Sequence, residues 1–163
     1  VQSVLAENGI EADCAQLSRI IPMVKERCQL INDFVIQTSY FFKDPSTLDL
    51  SAVLAKWDEH KTNFFENWSK QLAELKDTSA TDIELSFKES ATAAGIKPGE
   101  LQLPFRIMLV GGKFGPPVFE IAVHIGIEST CRRIQFFREK HSIFVAEVVY
   151  EFEFEDLFKL SKI

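Results

Sequence analysis

The chain has 163 residues, of which 46% are hydrophobic and 26% charged, a composition typical of a soluble globular domain. No apolar run approaches the ~20 residues that a membrane-spanning helix needs, so the sequence predicts a protein without membrane contact. Three widely spaced cysteines, Cys14, Cys28 and Cys131, fit neither a disulfide framework nor a CxxC metal site, which favours a reducing, cytoplasmic setting. Because the chain opens at Val1 instead of methionine, we expect a piece of a longer protein.

The net charge of -6 lacks the overall basic character of most nucleic-acid-binding proteins. The charge is uneven, however. The last stretch is acidic, while six cations lie between residues 106 and 140: Arg106, Lys113, Arg132, Arg133, Arg138 and Lys140. A local basic face therefore remains compatible with the sequence.

The first part of the chain predicts helices joined by polar turns. We expect a short helix within residues 1–10 that Gly9 ends, and a second helix that Asp13 caps. Between Met23 and Phe42 the apolar residues recur with a period of 3.6, which predicts one long helix of about five turns.

A second pair of helices is predicted further along the chain. Asp49 is expected to cap a helix that reaches Trp57, and an apolar stripe indicates another helix across residues 64–75. The polar run 76–79 then marks an internal boundary, and Thr81 with Glu84 has the spacing of a capping box.

Prolines and glycines recur in the following segment. Gly95 is expected to end one helix, a turn follows at residues 97–99, and Pro104 is expected to open a short helix that carries Arg106. Gly111 would end this helix, and the loop to Pro116 and Pro117 would turn the chain into a second short helix. The result is a helical hairpin with one cation on its first arm.

The end of the chain has a different character. A helix is predicted from residue 127 to 140, but residues 142–163 are rich in β-prone Val and Phe and alternate partly like a strand. A helix remains the alternative there. The sequence as a whole therefore predicts an all-α, multi-helix bundle in two sub-bundles, residues 1–78 and 79–140, with a tail, 141–163, that could be extended.

The hairpin also carries a motif. It runs from the KPGELQLP stretch through Arg106, Gly111, Pro116 and the pair Val118-Phe119 to His124-Ile-Gly126 and Arg132-Arg133. This combination resembles the C-terminal anticodon-binding domain of bacterial glutamyl-tRNA synthetase, over roughly residues 1 to 136. The resemblance implies a monomeric anticodon-binding fragment whose partner is the tRNA-Glu anticodon stem-loop. It implies that ATP and Mg serve a catalytic domain upstream, and that the fragment itself has no cofactor, metal or catalytic residue.

The resemblance also implies which residues contact RNA. Arg106 and, from the first helical block, Arg27 are expected to read anticodon bases, whereas Lys88 and Lys113 are expected to contact phosphates. The hairpin residues Gly115, Pro116, Val118 and Phe119 would approach the splayed bases. An ordinary ion pair for the cations and a core position for Phe119 remain open, and Arg132 and Arg133 could likewise contact phosphates or water.

Two alternatives compete with this hypothesis. An acidic helical protein-interaction module would explain the charge and the apolar tail without RNA. A small metal-dependent enzyme would use Glu120, His124 and Glu128, which recur every four residues, but no second ligand pair is apparent.

Overall fold

The computed structural model describes residues 1–76 and 78–160, and in these residues every regular element is helical, as predicted. The eight α-helices are α1 (Gln2–Glu7), α2 (Cys14–Val24), α3 (Asp33–Phe42), α4 (Glu59–Glu74), α5 (Ala80–Ala93), α6 (Pro98–Val110), α7 (Val118–Ile125) and α8 (Ile127–Leu160). The prediction of an all-α bundle is confirmed.

The N-terminal helices begin and end where local chemistry predicts. Gly9 follows α1 with a left-handed φ of 70°. Asp13 caps α2 in a reciprocal box, because its Oδ1 accepts from the backbone N–H of Gln16 at 2.7 Å while the Gln16 side chain accepts from the Asp13 N–H. A small separate core of Leu5, Ile10, Ala12 and Leu17 joins these helices.

The single long helix predicted between Met23 and Phe42 is wrong. The chain ends α2 at Val24, forms a 3-10 turn at Lys25–Arg27 and becomes extended at Cys28 before α3 begins. The Asp33 carboxylate accepts from the backbone N–H groups of Gln29 and Leu30, at 2.7 and 2.8 Å. These local bonds give the backbone N–H groups partners outside a helix and so compete with helix formation. The spacing of apolar residues does not reveal them.

Two further predicted helix starts need correction. The segment that follows Asp49 forms two short 3-10 turns, Leu50–Ala52 and Leu54–Lys56, and Asp58 caps the next regular helix, α4. The capping box predicted at Thr81 is also wrong, because the Ser79 hydroxyl caps α5 and accepts from the Asp82 N–H. Ser79, two residues before Thr81, is as suitable an N-cap residue as threonine, and α5 begins there.

The helix that carries Arg106 begins earlier than predicted. Pro98 stands in the first turn of α6 and Pro104 lies within it, so the turn predicted at residues 97–99 is instead the helix start. Either proline could occupy the first turn of a helix, and Pro98 is the one that does so in α6.

The main core is one aromatic-rich cluster. Trp68, Phe65, Phe87, Phe105 and Phe137 are fully buried, and rings from α4, α5 and α6 meet at centroid distances of 5.0 to 6.5 Å. This cluster includes residues from both predicted sub-bundles. The division between residues 78 and 79 stays a prediction, and Asp77 lies outside the described residues.

The tail is not extended where it is described. Helix α8 continues to Leu160, so the strand interpretation of residues 142–160 is wrong, and residues 161–163 lie outside the described part. Continuing a helix adds one hydrogen bond per residue, whereas a lone strand has no partner for its backbone. The apolar side chains Ile143, Val145 and Val149 are each about half exposed on this extension.

Candidate nucleic-acid interface

Helices α6 and α7 form the predicted hairpin. Gly111 ends α6 in the left-handed conformation, with φ 83° and its N–H bonded to the Ile107 carbonyl at 2.8 Å. Pro117 stands at the N-terminal cap of α7, and Gly126 ends that helix. The glycine and proline punctuation of the sequence therefore gives the predicted turn.

The hairpin loop is held by the segment that follows α3. A Cβ on Gly111 would stand 2.5 Å from the Thr47 carbonyl oxygen, so only glycine permits this approach. The Asp49 N–H donates to the Gly111 carbonyl at 2.8 Å, and the Lys113 ammonium lies 3.9 Å from the Asp49 carboxylate. The loop thus starts from a fixed anchor.

Arg106 projects from α6 toward the far side of the same loop. It is partly exposed, and its Nη1 donates to the Pro116 carbonyl at 2.6 Å. Burial lowers the pKa of the Arg106 guanidinium, and the nearby positive charge of Arg27 lowers it further. The guanidinium has five N–H donors, and the bond to the Pro116 carbonyl uses one of them.

Gly115 and Tyr40 lie against this guanidinium. A Cβ on Gly115 would stand 3.2 Å from Arg106 Nη1 and 3.6 Å from the Tyr40 hydroxyl. The Tyr40 hydroxyl is buried with no hydrogen-bond partner among the described residues, and burial raises the pKa of Tyr40 to about 12. Glycine at position 115 therefore lets the loop backbone pack directly on the two polar groups.

Arg27 is brought close to this group although its predicted helix is absent. It lies exposed in the 3-10 turn after α2, and its charge acts on the pKa of both Arg106 and Tyr40. Arg27 and Arg106, which are distant in the sequence, therefore lie close enough for their positive charges to interact.

The other predicted hairpin residues are buried. Phe119 is 7% exposed and packs on Phe87 and Phe105 at centroid distances of 5.3 and 6.0 Å, as expected for a core residue. Val118 and Pro116 are buried as well. Any contact between these three residues and RNA would therefore use the backbone.

Sequence reasoning missed Phe114. This side chain is 81% exposed at the tip of the loop, a larger fraction than for any other exposed large apolar side chain in the described part of the chain. The signal was its position between Lys113 and Gly115 in a predicted loop.

The remaining cations divide into surface and structural groups. Lys88 pairs with Glu84 at 2.6 Å on the surface of α5, and Lys113 with Asp49 across the loop. Arg133 is 2% exposed and donates to the Asp44 carboxylate at 2.9 Å and to the Leu109 carbonyl, thereby fastening α8 to the ends of α3 and α6.

Asp44 also accepts from Arg132 at 2.6 Å. Hydrogen bonds from Arg132 and Arg133 hold the pKa of the Asp44 carboxyl below its usual range. Arg132 and Arg133 are therefore part of a cluster that holds helices together.

The row of possible metal ligands is divided between two helices. Glu120 and His124 belong to α7, whereas Glu128 follows the break at Gly126 and belongs to α8. Within residues 1–76 and 78–149, whose side chains the structure describes, no three acidic, His or Cys side chains converge as metal ligands. Over the same part of the chain, no helix is both long and apolar enough to cross a membrane.

Comparisons with known proteins agree with this architecture. The family model for the anticodon binding domain matches residues 2–138. A glutamate–tRNA ligase of Pelodictyon phaeoclathratiforme is 34% identical over 126 residues, which are 77% of this chain and 25% of that protein. One of Flavobacterium johnsoniae is 33% identical over 133 residues, or 82% of this chain and 26% of that protein.

A solved structure is also similar. The crystal structure of a glutamate tRNA ligase from Elizabethkingia meningosepticum, in complex with its amino acid, matches with a TM-score of 0.76 and 31% identity. The match covers 84% of this chain and 27% of that one. These comparisons do not support the alternative of a protein-interaction module without RNA binding. The chain spans about a quarter of the ligases that it matches, and it belongs to the family of anticodon binding domains found in glutamate–tRNA ligases.

Proposed function

We propose that this chain holds the anticodon stem-loop of tRNA-Glu and tests its bases for a glutamate–tRNA ligase. The observation that carries the proposal is the state of Arg106. Its guanidinium is oriented by the Pro116 carbonyl at 2.6 Å, is partly exposed, and has no carboxylate partner among the ion pairs of the described residues.

An oriented guanidinium without a counter-charge suits RNA recognition. Its planar set of donors can bond two acceptors on a base edge or a phosphate. Unpaired loop bases expose these edges, unlike the bases of a duplex. Arg27 adds a second positive charge beside Arg106 and would contribute a second base contact.

The loop backbone would complete the surface. Gly115 and Pro116 lie against Arg106, and residues Val118 and Phe119 begin α7, where backbone N–H groups lack helical partners. Their buried side chains would fix the backbone in place, and the backbone would approach the bases.

Lys88 and Lys113 are proposed as phosphate contacts. Both are exposed and pair only with exposed or partly exposed carboxylates, so exchange of these partners for phosphate would cost little. Such contacts add affinity and salt dependence without choosing a base.

The role of the whole protein follows as a proposal from the relatives' names. It would join glutamate to tRNA in the cytoplasm as a monomer, with ATP and Mg bound by a catalytic domain outside this chain.

The test is a binding titration with tRNA-Glu and with a variant altered in its anticodon, at two salt concentrations. We expect the domain to prefer tRNA-Glu, and Arg106→Ala to reduce this preference by about 5- to 160-fold, since a bidentate base contact contributes about 1–3 kcal/mol of discrimination. Lys70→Ala, which also removes one exposed cation, is the matched control and should keep the preference. Equal binding of both tRNAs by the unmodified domain would refute the proposed function.

A further inference from the structure

We propose that Phe114 is a stacking platform for an unpaired base of the bound RNA. The proposal rests on the proposed function and adds a binding residue to it. The ligand group is a nucleobase, which Phe114 would recognise by its flat face instead of its edge.

The exposure of Phe114 needs an explanation that folding does not provide. Burial of a Phe side chain stabilises a protein by about 1.5–3 kcal/mol, and this core buries many aromatic rings. Phe114 is 81% exposed, so it contributes little stabilisation of this kind. Its neighbours in sequence, Gly115 and Pro116, are buried, so the loop turns this one ring away from the core.

The loop that carries the Phe114 ring is held in place at both ends. On one side Gly111 lies close against Thr47 and its carbonyl accepts from the Asp49 N–H, and on the other side the Pro116 carbonyl accepts from Arg106. A side chain with two χ angles on an anchored backbone loses little conformational entropy when it binds.

The surroundings favour RNA as the partner. Phe114 is joined directly to Gly115, whose backbone packs on the Arg106 guanidinium, and Arg27 is a second nearby cation. The Cα atoms of Phe114 and Gly115 are neighbours, about 3.8 Å apart. The Phe114 side chain therefore leaves the backbone close to Arg106, the residue proposed to read bases. An aromatic ring beside cations is the arrangement with which proteins bind single-stranded nucleic acid.

The inference predicts a different effect from that of Arg106. A ring can stack on any base, whereas a guanidinium selects base edges. Phe114→Ala should therefore weaken binding of tRNA-Glu and of the anticodon variant by the same factor, about 5- to 160-fold. Arg106→Ala should reduce the difference between the two tRNAs.

The experiment is a titration of the full chain with both RNAs, using Phe114→Ala, Phe114→Leu and Phe114→Trp. The alanine and leucine variants should both lose affinity, because leucine keeps the apolar bulk without the ring. The tryptophan variant should retain affinity, and its indole fluorescence should be quenched as RNA is added. Phe144→Ala, the same change at an exposed phenylalanine beyond the family match, is the control and should bind normally.

The result that would overturn the inference is unchanged affinity for Phe114→Ala while Arg106→Ala loses its preference. Equal losses for Phe114→Ala and Phe144→Ala would also overturn it, because a specific platform would then be unnecessary. If instead the unmodified domain fails to distinguish the two RNAs, the proposed function itself is refuted. Circular dichroism of each variant separates loss of binding from loss of folding, since an 81% exposed side chain should not alter the fold.

Discussion

Replacement of Gly111 by alanine tests whether the segment after α3 is docked on the hairpin. Gly111 has φ 83°, and a Cβ there would stand 2.5 Å from the Thr47 carbonyl oxygen. Gly95 offers a matched control, because it follows α5 with φ 72° and a Cβ there would have no neighbouring atom within 4 Å. Both changes impose the same backbone strain, and only one adds an overlap.

The expected magnitudes differ accordingly. A non-glycine residue in the left-handed region costs about 1–2 kcal/mol. Alanine also lowers the conformational entropy of the unfolded chain, which offsets part of this cost. Gly95→Ala should therefore lower the free energy of unfolding by about 1 kcal/mol. Gly111→Ala must also displace Thr47 and strain the 2.8 Å bond from Asp49 to the Gly111 carbonyl. Overpacking and a weakened hydrogen bond add about 2–3 kcal/mol.

Urea and thermal unfolding followed by circular dichroism measure both changes. At roughly 2–4 °C per kcal/mol, the Tm of Gly111→Ala should fall by about 6–16 °C and that of Gly95→Ala by about 2–4 °C. Equal destabilisation by the two substitutions would refute the docking of Thr47 on the hairpin.

Three further changes probe single groups. Tyr40→Phe should leave the free energy of unfolding at neutral pH unchanged or raise it by about 1 kcal/mol, because the buried hydroxyl has no partner in the described residues. Since the folded pKa of Tyr40 is about 12, above its unfolded value of about 10, the unmodified domain should lose stability as the pH rises from about 10 to 12, and Tyr40→Phe should lose less. Asp44→Ala should lower the free energy of unfolding by about 1–3 kcal/mol in a denaturant titration, because it leaves buried Arg133 without its carboxylate partner. Glu84→Ala is the control, because it breaks an exposed ion pair with Lys88 and should change the free energy of unfolding by less than about 1 kcal/mol. The lowered pKa of Asp44 means that its contribution is present above the ordinary Asp pKa and lost as the pH falls, so the two curves should converge in acid.

The residues that cap or end helices made much of the fold predictable. Gly9, Asp13, Gly111 and Gly126 end or cap helices as their residue types indicate, since their conformational preferences act within one turn of chain. The break before α3 was not predictable from periodicity, because bonds from the Asp33 side chain to the backbone decide it.

The site was predictable in part for a similar reason. The family motif indicates Arg106 and the loop, but only folding brings Arg27 beside Arg106. The sequence places Phe114 in a predicted loop and Phe119 at a helix start, but the burial of each ring depends on packing between helices. The packing of Phe87 and Phe105 buries Phe119, and the loop exposes Phe114.

The central claim is that Arg106 chooses among anticodon bases. Its most direct test is the ratio of the tRNA-Glu affinity to that of the anticodon variant for Arg106→Lys, which keeps the charge and removes the planar set of donors. We predict that the ratio falls toward one while the salt dependence of binding is nearly unchanged. A ratio equal to that of the unmodified domain would contradict the claim, because a point charge would then suffice.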